Sequence, residues 1–294
     1  MKILNYTVKG LKRVGVYVDG KVYDITSTLS KYGSDIKSVE DVLALGYTDE
    51  LDDAVNESSE VYVLKDLKLD PAVRNPQKIF LAAVNYYSHS KEGKLEKPLQ
   101  PYLFTKFTNA LKGAYDDVRK PRSSNKMDYE GELAVIIGKK CKYVSAQEAK
   151  SCVAGYTVAD DISFRDWQFP PGGPNVQTTY GYNWVMGKML DDALPLGPWL
   201  VTSDEVKDPY SLNIKTKVNG EIRQNGSTSD MIFKIEEIIS YLSQGITLYP
   251  GDVISTGTPE GVAAFTGERY LKPGDVVTVE IDGIGLISNK IIQE

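Results

Sequence analysis

Apolar and polar positions alternate along much of the chain, and the alternation predicts strands. Val14, Val16 and Val18 alternate, Asp19-Gly20 fits a type I′ turn, and Val22, Tyr23 and Ile25 return, which predicts a β-hairpin. Ser38 caps a short helix over residues 39–45 that Gly46 stops. Residues 64–77 mix charge with Pro71 and Pro76, and the boundary falls there: a small N-terminal α/β domain over 1–70 and a larger domain over 71–294. In the larger part, residues 131–138 read as a half-buried strand, and Ser145 with Glu148 forms a capping box. Residues 154–162 read as another strand, and Asn219-Gly220 turns a second hairpin between Ile214-Thr216-Val218 and Ile222-Gln224. One amphipathic helix, capped near Ser229, sets Ile232, Ile235, Ile238, Ile239 and Leu242 on one face, with Gly245 after it. The fold class is α+β with more strand than helix.

Composition narrows the function. The 294 residues are 41% hydrophobic and 25% charged, ordinary values for a globular protein. Thirty-four basic against 40 acidic side chains give a net charge of −6, which disfavours nucleic acid and anionic membranes as partners. No apolar run approaches the ~20 residues that span a bilayer. The first 15 residues carry Lys2, Lys9, Lys12 and Arg13 but no apolar stretch of a signal peptide, so a cytoplasmic location is expected. Cys141 and Cys152 make no disulfide framework and fit no zinc motif. With His89 as the one histidine, any metal is held mainly by oxygen, which favours Mg²⁺.

Oxygen ligands are available. In the run Asp128-Tyr129-Glu130-Gly131-Glu132-Leu133, strand alternation sends Glu130 and Glu132 to one side. Taken alone they read as a solvated strand face. Asp160 and Asp161 close another strand, and alternation turns one of them inward, where an unpaired carboxylate is costly. Three convergent carboxylates suit Mg²⁺. His89 and Glu92, three apart, share a helical turn, and a carboxylate beside an imidazole makes a general base. Lys188 follows the Pro/Gly-rich stretch 169–181; it could stabilise an enolate, though most lysines lie on the surface. Residues 255–261 form a small-residue turn able to present N–H groups to a carboxylate, without the signature of a phosphate loop.

In this order, Asn-Tyr-x-x-His-x-x-Glu, Asp-Tyr-Glu-x-Glu-Leu-Ala, Asp-x-Ser-x-Arg-Asp-x-Gln, Gly-Lys and Gly-Asp-Val-Ile-x-Thr-Gly-Thr-Pro resemble the fumarylacetoacetate hydrolase family from Asn85 to the C-terminus. The resemblance implies a mixed-sheet β-roll or partly open barrel, in homodimers. It implies Glu130, Glu132 and Asp161 as ligands of Mg²⁺, with Mn²⁺ or Ca²⁺ as alternatives. His89 and Glu92 match a catalytic pair on a lid, Lys188 the lysine at the reacting carbonyl, and Gln168 and Thr258 contacts to a 2-oxo acid. Val84 stands where some acylpyruvate-cleaving members have arginine, and the loop 169–183 is long.

The activity implied is metal-dependent hydrolysis of a C–C bond in a 2,4-dioxo acid. His89, oriented by Glu92, would activate water, and Mg²⁺ with Lys188 would stabilise the departing enolate. The same site serves hydroxyheptadienedioate-type isomerisation, oxaloacetate-type decarboxylation or dehydration of 2-keto-3-deoxy sugar acids. A catalytically silent metal-binding member is the competing class. The charged stretch 85–98 is expected to be a mobile lid.

Overall fold

The computed structural model describes residues 1–31, 35–46 and 50–294. Among them, one large mixed sheet orders Val61–Val63, Lys21–Asp24, Leu11–Val18, Lys2–Val8, Leu194–Thr202, Val153–Asp160, Gly131–Ile137, Val253–Ser255, Ile79–Ala83 and Tyr102–Thr105. Val253–Ser255 and Ile79–Ala83 run parallel, whereas the pairs around Gly131–Ile137 are antiparallel. A second sheet orders Glu221–Ser227, Asn213–Val218, Val276–Ile281, Gly285–Gln293 and Val118–Lys120. The fold is strand-rich α+β with mixed sheets, and the described residues close no barrel. None of their helices is long and apolar enough to cross a membrane.

Local chemistry accounts for the turns. Asp19 and Gly20 have φ of 47° and 83°, and Asn219 and Gly220 have 52° and 83°, the left-handed pair a type I′ turn needs. Ile25 falls just past the strand Lys21–Asp24. The side chain of Ser38 accepts the Asp41 N–H to open Val39–Leu45, which ends on Gly46 at φ 73°. Lys2–Val8 pairs antiparallel with Leu194–Thr202, so the first strands extend the sheet that carries the rest.

Three expectations change. The amphipathic helix spans Ile235–Ser243, starting later than Ser229, because the preceding segment is spent elsewhere. Ile232 donates its N–H to the Asn85 carbonyl, and the helix opens where the Lys234 N–H meets the Glu237 carboxylate at 2.6 Å. Cys141 and Cys152 are joined by a disulfide. Cys141 pairs with Leu248, and the Cys152 carbonyl accepts from Gly138 just past Gly131–Ile137, so the antiparallel pairing of Gly131–Ile137 with Val153–Asp160 brings the two sulfurs together.

Gly131–Ile137, expected to be half-buried, is buried throughout. A side chain at Gly131 shows why: its Cβ would lie 2.3 Å from Thr216 Oγ1 and 2.9 Å from Val279 Cγ1, both on the second sheet. The face bearing Gly131 and Leu133 is therefore sealed by sheet-on-sheet packing, and the opposite face carries Glu130 and Glu132 into the interior. Gly131→Ala should destabilise the protein by about 1–3 kcal/mol. Urea unfolding checks this, and an unchanged midpoint would mean the two sheets are not in close contact there.

Candidate metal centre and active site

Two strand ends assemble the acids. Gly131 pairs with Asp160 across the ladder, and the Asp161 N–H donates to the Glu130 carbonyl at 2.9 Å. One carboxylate oxygen each from Glu130, Glu132 and Asp161 lies within 4.8 Å of the others. The residues are 5%, 1% and 1% exposed, which overturns the solvated-face reading: Glu130 and Glu132 face a pocket walled by Phe104, Trp184 and Phe265, not an open sheet surface. Asp160 points away and accepts the Glu130 N–H at 2.8 Å, and burial pushes its carboxyl up to about 7.

Three buried cations surround the acids. Lys188 Nζ sits 2.6 Å from Glu130 Oε2 and 2.7 Å from Asp161 Oδ2, so the surface-lysine reading also falls. The short helix Trp184–Lys188 reaches that depth because Gly187 lies flush on Gln168, where a Cβ would come within 2.4 Å. Lys106 Nζ lies 2.7 Å from Asp161 Oδ1 and donates to the carbonyls of Ile162 and Ala193. Arg165 Nε donates to Asp128 at 2.9 Å, Nη1 to Gln168 Oε1 at 2.8 Å, and Nη2 to Glu130. Lys106 and Arg165 had been given no role. Arg165 stood inside a quoted motif, whereas Lys106 gave only the weak signal of a lysine beside Phe104 and Phe107.

The charges are uneven. Burial would raise Glu130, but Lys188 and Arg165 outweigh it and hold its carboxyl well below the usual range. Glu132 has no cation of its own among the described residues: burial, then Asp161 and Glu130, push it far above the usual carboxylate range. The Ser255 hydroxyl and the Gly257 N–H (3.0 Å) donate to it without reversing that. Glu132 must hold a proton unless a further cation replaces it. An all-oxygen trio short of positive charge fits a hard divalent ion such as Mg²⁺, Mn²⁺ or Ca²⁺.

His89 lines the same pocket from the short helix Tyr87–Gly93, its ring 5.5 Å from Phe265. Burial, against the pull of Glu130, lowers its imidazole to about 4, so it is neutral at pH 7. Among the described residues its Nδ1 finds no hydrogen-bond partner. Glu92 is not brought to it: both oxygens of that carboxylate accept the Gly261 N–H, at 3.1 and 3.0 Å. Sharing a helical turn does not decide where Glu92 points, because a backbone donor in the 255–261 turn claims it. The segment expected to move is pinned at its start. The Asn85 side chain donates to the Phe233 and Thr256 carbonyls at 3.1 and 2.8 Å, and Ser88 N–H reaches Asp230 at 2.8 Å. Just before it, Val84 has φ 53°, a left-handed setting that costs a β-branched residue about 1–3 kcal/mol.

Gln168 and Thr258 both line the pocket. The Thr258 hydroxyl donates to the Gly131 carbonyl at 2.9 Å and accepts from Gln224 Nε2 at 2.8 Å. The rest of the wall is largely apolar and aromatic: Val84, Leu95, Phe104, Tyr182 and Trp184.

A mixed-sheet α+β core carrying a buried oxygen trio ringed by cations defines a class of candidate divalent-metal protein. Residues 78–292 match the family model of the fumarylacetoacetate hydrolase C-terminal domain, and the chain belongs to the fumarylacetoacetate hydrolase family. A mitochondrial oxaloacetate tautomerase of Bos taurus is 46% identical over 221 residues, covering 75% of this chain and 68% of that protein. A fumarylacetoacetate hydrolase of Exiguobacterium antarcticum superposes with a TM-score of 0.84 at 32% identity, covering all of both chains. A maleylpyruvate hydrolase of Sphingobium sp. SYK-6, solved with manganese(II) and pyruvate, gives 0.81 at 29% identity, covering 100% of this chain and 99% of that one.

Glu132→Gln should keep the fold and lower Mg²⁺ affinity by ~10²-fold or more, because it keeps the shape of the protonated acid and removes a ligand charge. Calorimetric titration checks this, and unchanged affinity would remove Glu132 from the ligand set.

Proposed function

We propose that the chain is a divalent-metal-dependent enzyme that interconverts the keto and enol forms of a 2-oxo acid bearing an acidic C3–H, with oxaloacetate as the reference substrate. The observation that carries this reading is His89: a buried, neutral imidazole on the wall of the pocket that holds the trio, unpartnered at Nδ1 and not joined to Glu92. Keto–enol exchange needs one proton acceptor beside C3. Hydrolysis needs a pair that activates water, and the Gly261 N–H engages the second member of that pair. The name of the Bos taurus relative supports the same choice.

In this reading Glu130, Glu132 and Asp161 hold the cation, which supplies Lewis acidity toward the substrate's carboxylate and keto oxygens when bound. His89 takes the proton from C3, leaving the C–H electron pair in the C2–C3 double bond, and hands that proton to the C2 oxygen to give the enol; the reverse direction runs the two transfers backwards. The charge on Glu130 favours the imidazolium that forms, which offsets part of the burial that otherwise keeps the ring neutral. Lys188 faces the developing oxygen charge, and Arg165 fixes Glu130 and Gln168 in place. The aromatic wall keeps water from the reacting carbon.

Hydrolysis of a 2,4-dioxo acid stands second. It is favoured by the likeness to the manganese- and pyruvate-bound maleylpyruvate hydrolase, and it requires Glu92 to leave Gly261 for His89. The proposal also has the chain act in the cytosol as a homodimer. The named tautomerase relatives are mitochondrial, so cell fractionation tests the first part, and light scattering at twice the 32.6 kDa chain mass tests the second.

Enol oxaloacetate, followed by its ultraviolet absorbance, should decay faster with protein and Mg²⁺ and return to the spontaneous rate with EDTA. His89→Gln should lower kcat roughly 10²- to 10⁴-fold while Mg²⁺ affinity stays within about twofold. Full turnover in that variant would overturn the role of His89.

A further inference from the structure

Gln224 joins the pocket to the second sheet. It lies on the strand Glu221–Ser227 and is 1% exposed. That strand abuts the 255–261 turn with no room to spare. A Cβ on Gly226 would lie 2.4 Å from Pro259 Cβ, and one on Gly261 would lie 2.1 Å from the Arg223 carbonyl oxygen. The Gln224 side chain fills this seam and reaches both the strand of the acids and the turn that carries Thr258.

The direction of each hydrogen bond in the seam follows from its partners. The Gly131 N–H can only donate, and it meets Gln224 Oε1 at 2.9 Å; the Thr216 hydroxyl donates to the same oxygen at 2.8 Å. The amide is thereby fixed, and its Nε2 donates to the Pro259 carbonyl at 3.0 Å and to Thr258 Oγ1 at 2.8 Å. The Thr258 hydroxyl therefore accepts from Gln224 and must place its own proton elsewhere. Among the described residues that proton goes to the Gly131 carbonyl at 2.9 Å, between Glu130 and Glu132. Thr258 also lines the pocket beside the trio. An anionic oxygen bound there is a stronger acceptor than a neutral carbonyl, so the proton can turn to it.

We infer that Gln224 is a positioning residue: its amide keeps the Thr258 hydroxyl a donor toward an anionic oxygen of the bound substrate. Gln224 acts through Thr258 and touches no reacting atom. This role rests on the pocket being a metal site for a 2-oxo acid, and not on which substrate bond reacts.

Gln224→Glu separates the role from packing. The carboxylate keeps an acceptor for Gly131 and Thr216, but it takes the Thr258 proton instead of leaving it for the pocket. On the Mg²⁺-saturated protein, calorimetry should show oxalate bound about tenfold more weakly by Gln224→Glu, and to a similar extent by Thr258→Val. The double variant should bind oxalate within about twofold of either single variant, because both changes remove the same hydrogen bond. Thr258→Ser, which keeps the hydroxyl, should stay within about threefold of the unmodified protein. Mg²⁺ affinity is titrated separately on each variant, so that lost metal is not counted as lost oxalate. If Gln224→Glu does not fold, Gln224→Met removes the donor without adding charge, and the same comparison should give at least about a fivefold loss with the same non-additivity. A loss that recurs in full in the Thr258→Val background would mean that charge or packing alone is at work and would overturn the inference. Undiminished oxalate binding by Gln224→Glu would overturn it too, and both results leave the keto–enol reading standing. An unmodified protein that binds Mg²⁺ but no oxalate would overturn the reading of the pocket, and this role with it.

Discussion

The rest of this structure depends on the mutual repulsion of three carboxylates drawn together where two antiparallel strands end. Glu130, Glu132 and Asp161 cannot all be charged in a buried space without compensation. Lys188 bridges two of them, Arg165 clamps Glu130, and Lys106 backs Asp161. Among the described residues Glu132 is the acid without a paired cation, and burial, then the charges of Asp161 and Glu130, push its carboxyl well above the usual range. With Asp128, the four buried carboxylates face three buried cations, a shortfall of one positive charge that a divalent ion more than covers.

Holding that charge cluster constrains distant parts of the chain. The second sheet must press on Gly131 closely enough to exclude any side chain, which buries the back of the strand whose other face carries Glu130 and Glu132 into the pocket. Gly187 must lie flat on Gln168, or Lys188 would stop short of the acids. Residues 231–234 stay non-helical and hold Asn85 through Ile232 and Phe233, and this positions the helix that carries His89. Val84 holds a left-handed backbone conformation at that junction. Packing, strain and electrostatics converge on one pocket.

Much of this was legible in the sequence, for reasons that differ by residue. The two type I′ turns, the Ser38 cap and the shared side of Glu130 and Glu132 follow from local rules of turn, cap and strand, and these hold without tertiary context. Burial of the strand Gly131–Ile137 was not legible, because it depends on a second sheet far along the chain. The bridging position of Lys188 and the role of Lys106 were hidden for the same reason: a lysine in sequence looks like a surface lysine until its partners are placed. The His89–Glu92 pairing illustrates the opposite error. Their spacing permits contact, but the Gly261 N–H takes the carboxylate first. The disulfide between Cys141 and Cys152 depends on strand pairing that no spacing rule encodes.

In the proposed centre a single hard cation is held through oxygen alone, while His89 stays off the metal to handle a proton. Pulsed electron paramagnetic resonance of the Mn²⁺-loaded protein tests this most directly. It predicts one bound Mn²⁺ per chain, no modulation from a directly coordinated nitrogen, and new coupling to carbon when ¹³C-labelled oxalate is added. A directly coordinated imidazole nitrogen, or a chain that takes up no Mn²⁺, would contradict it.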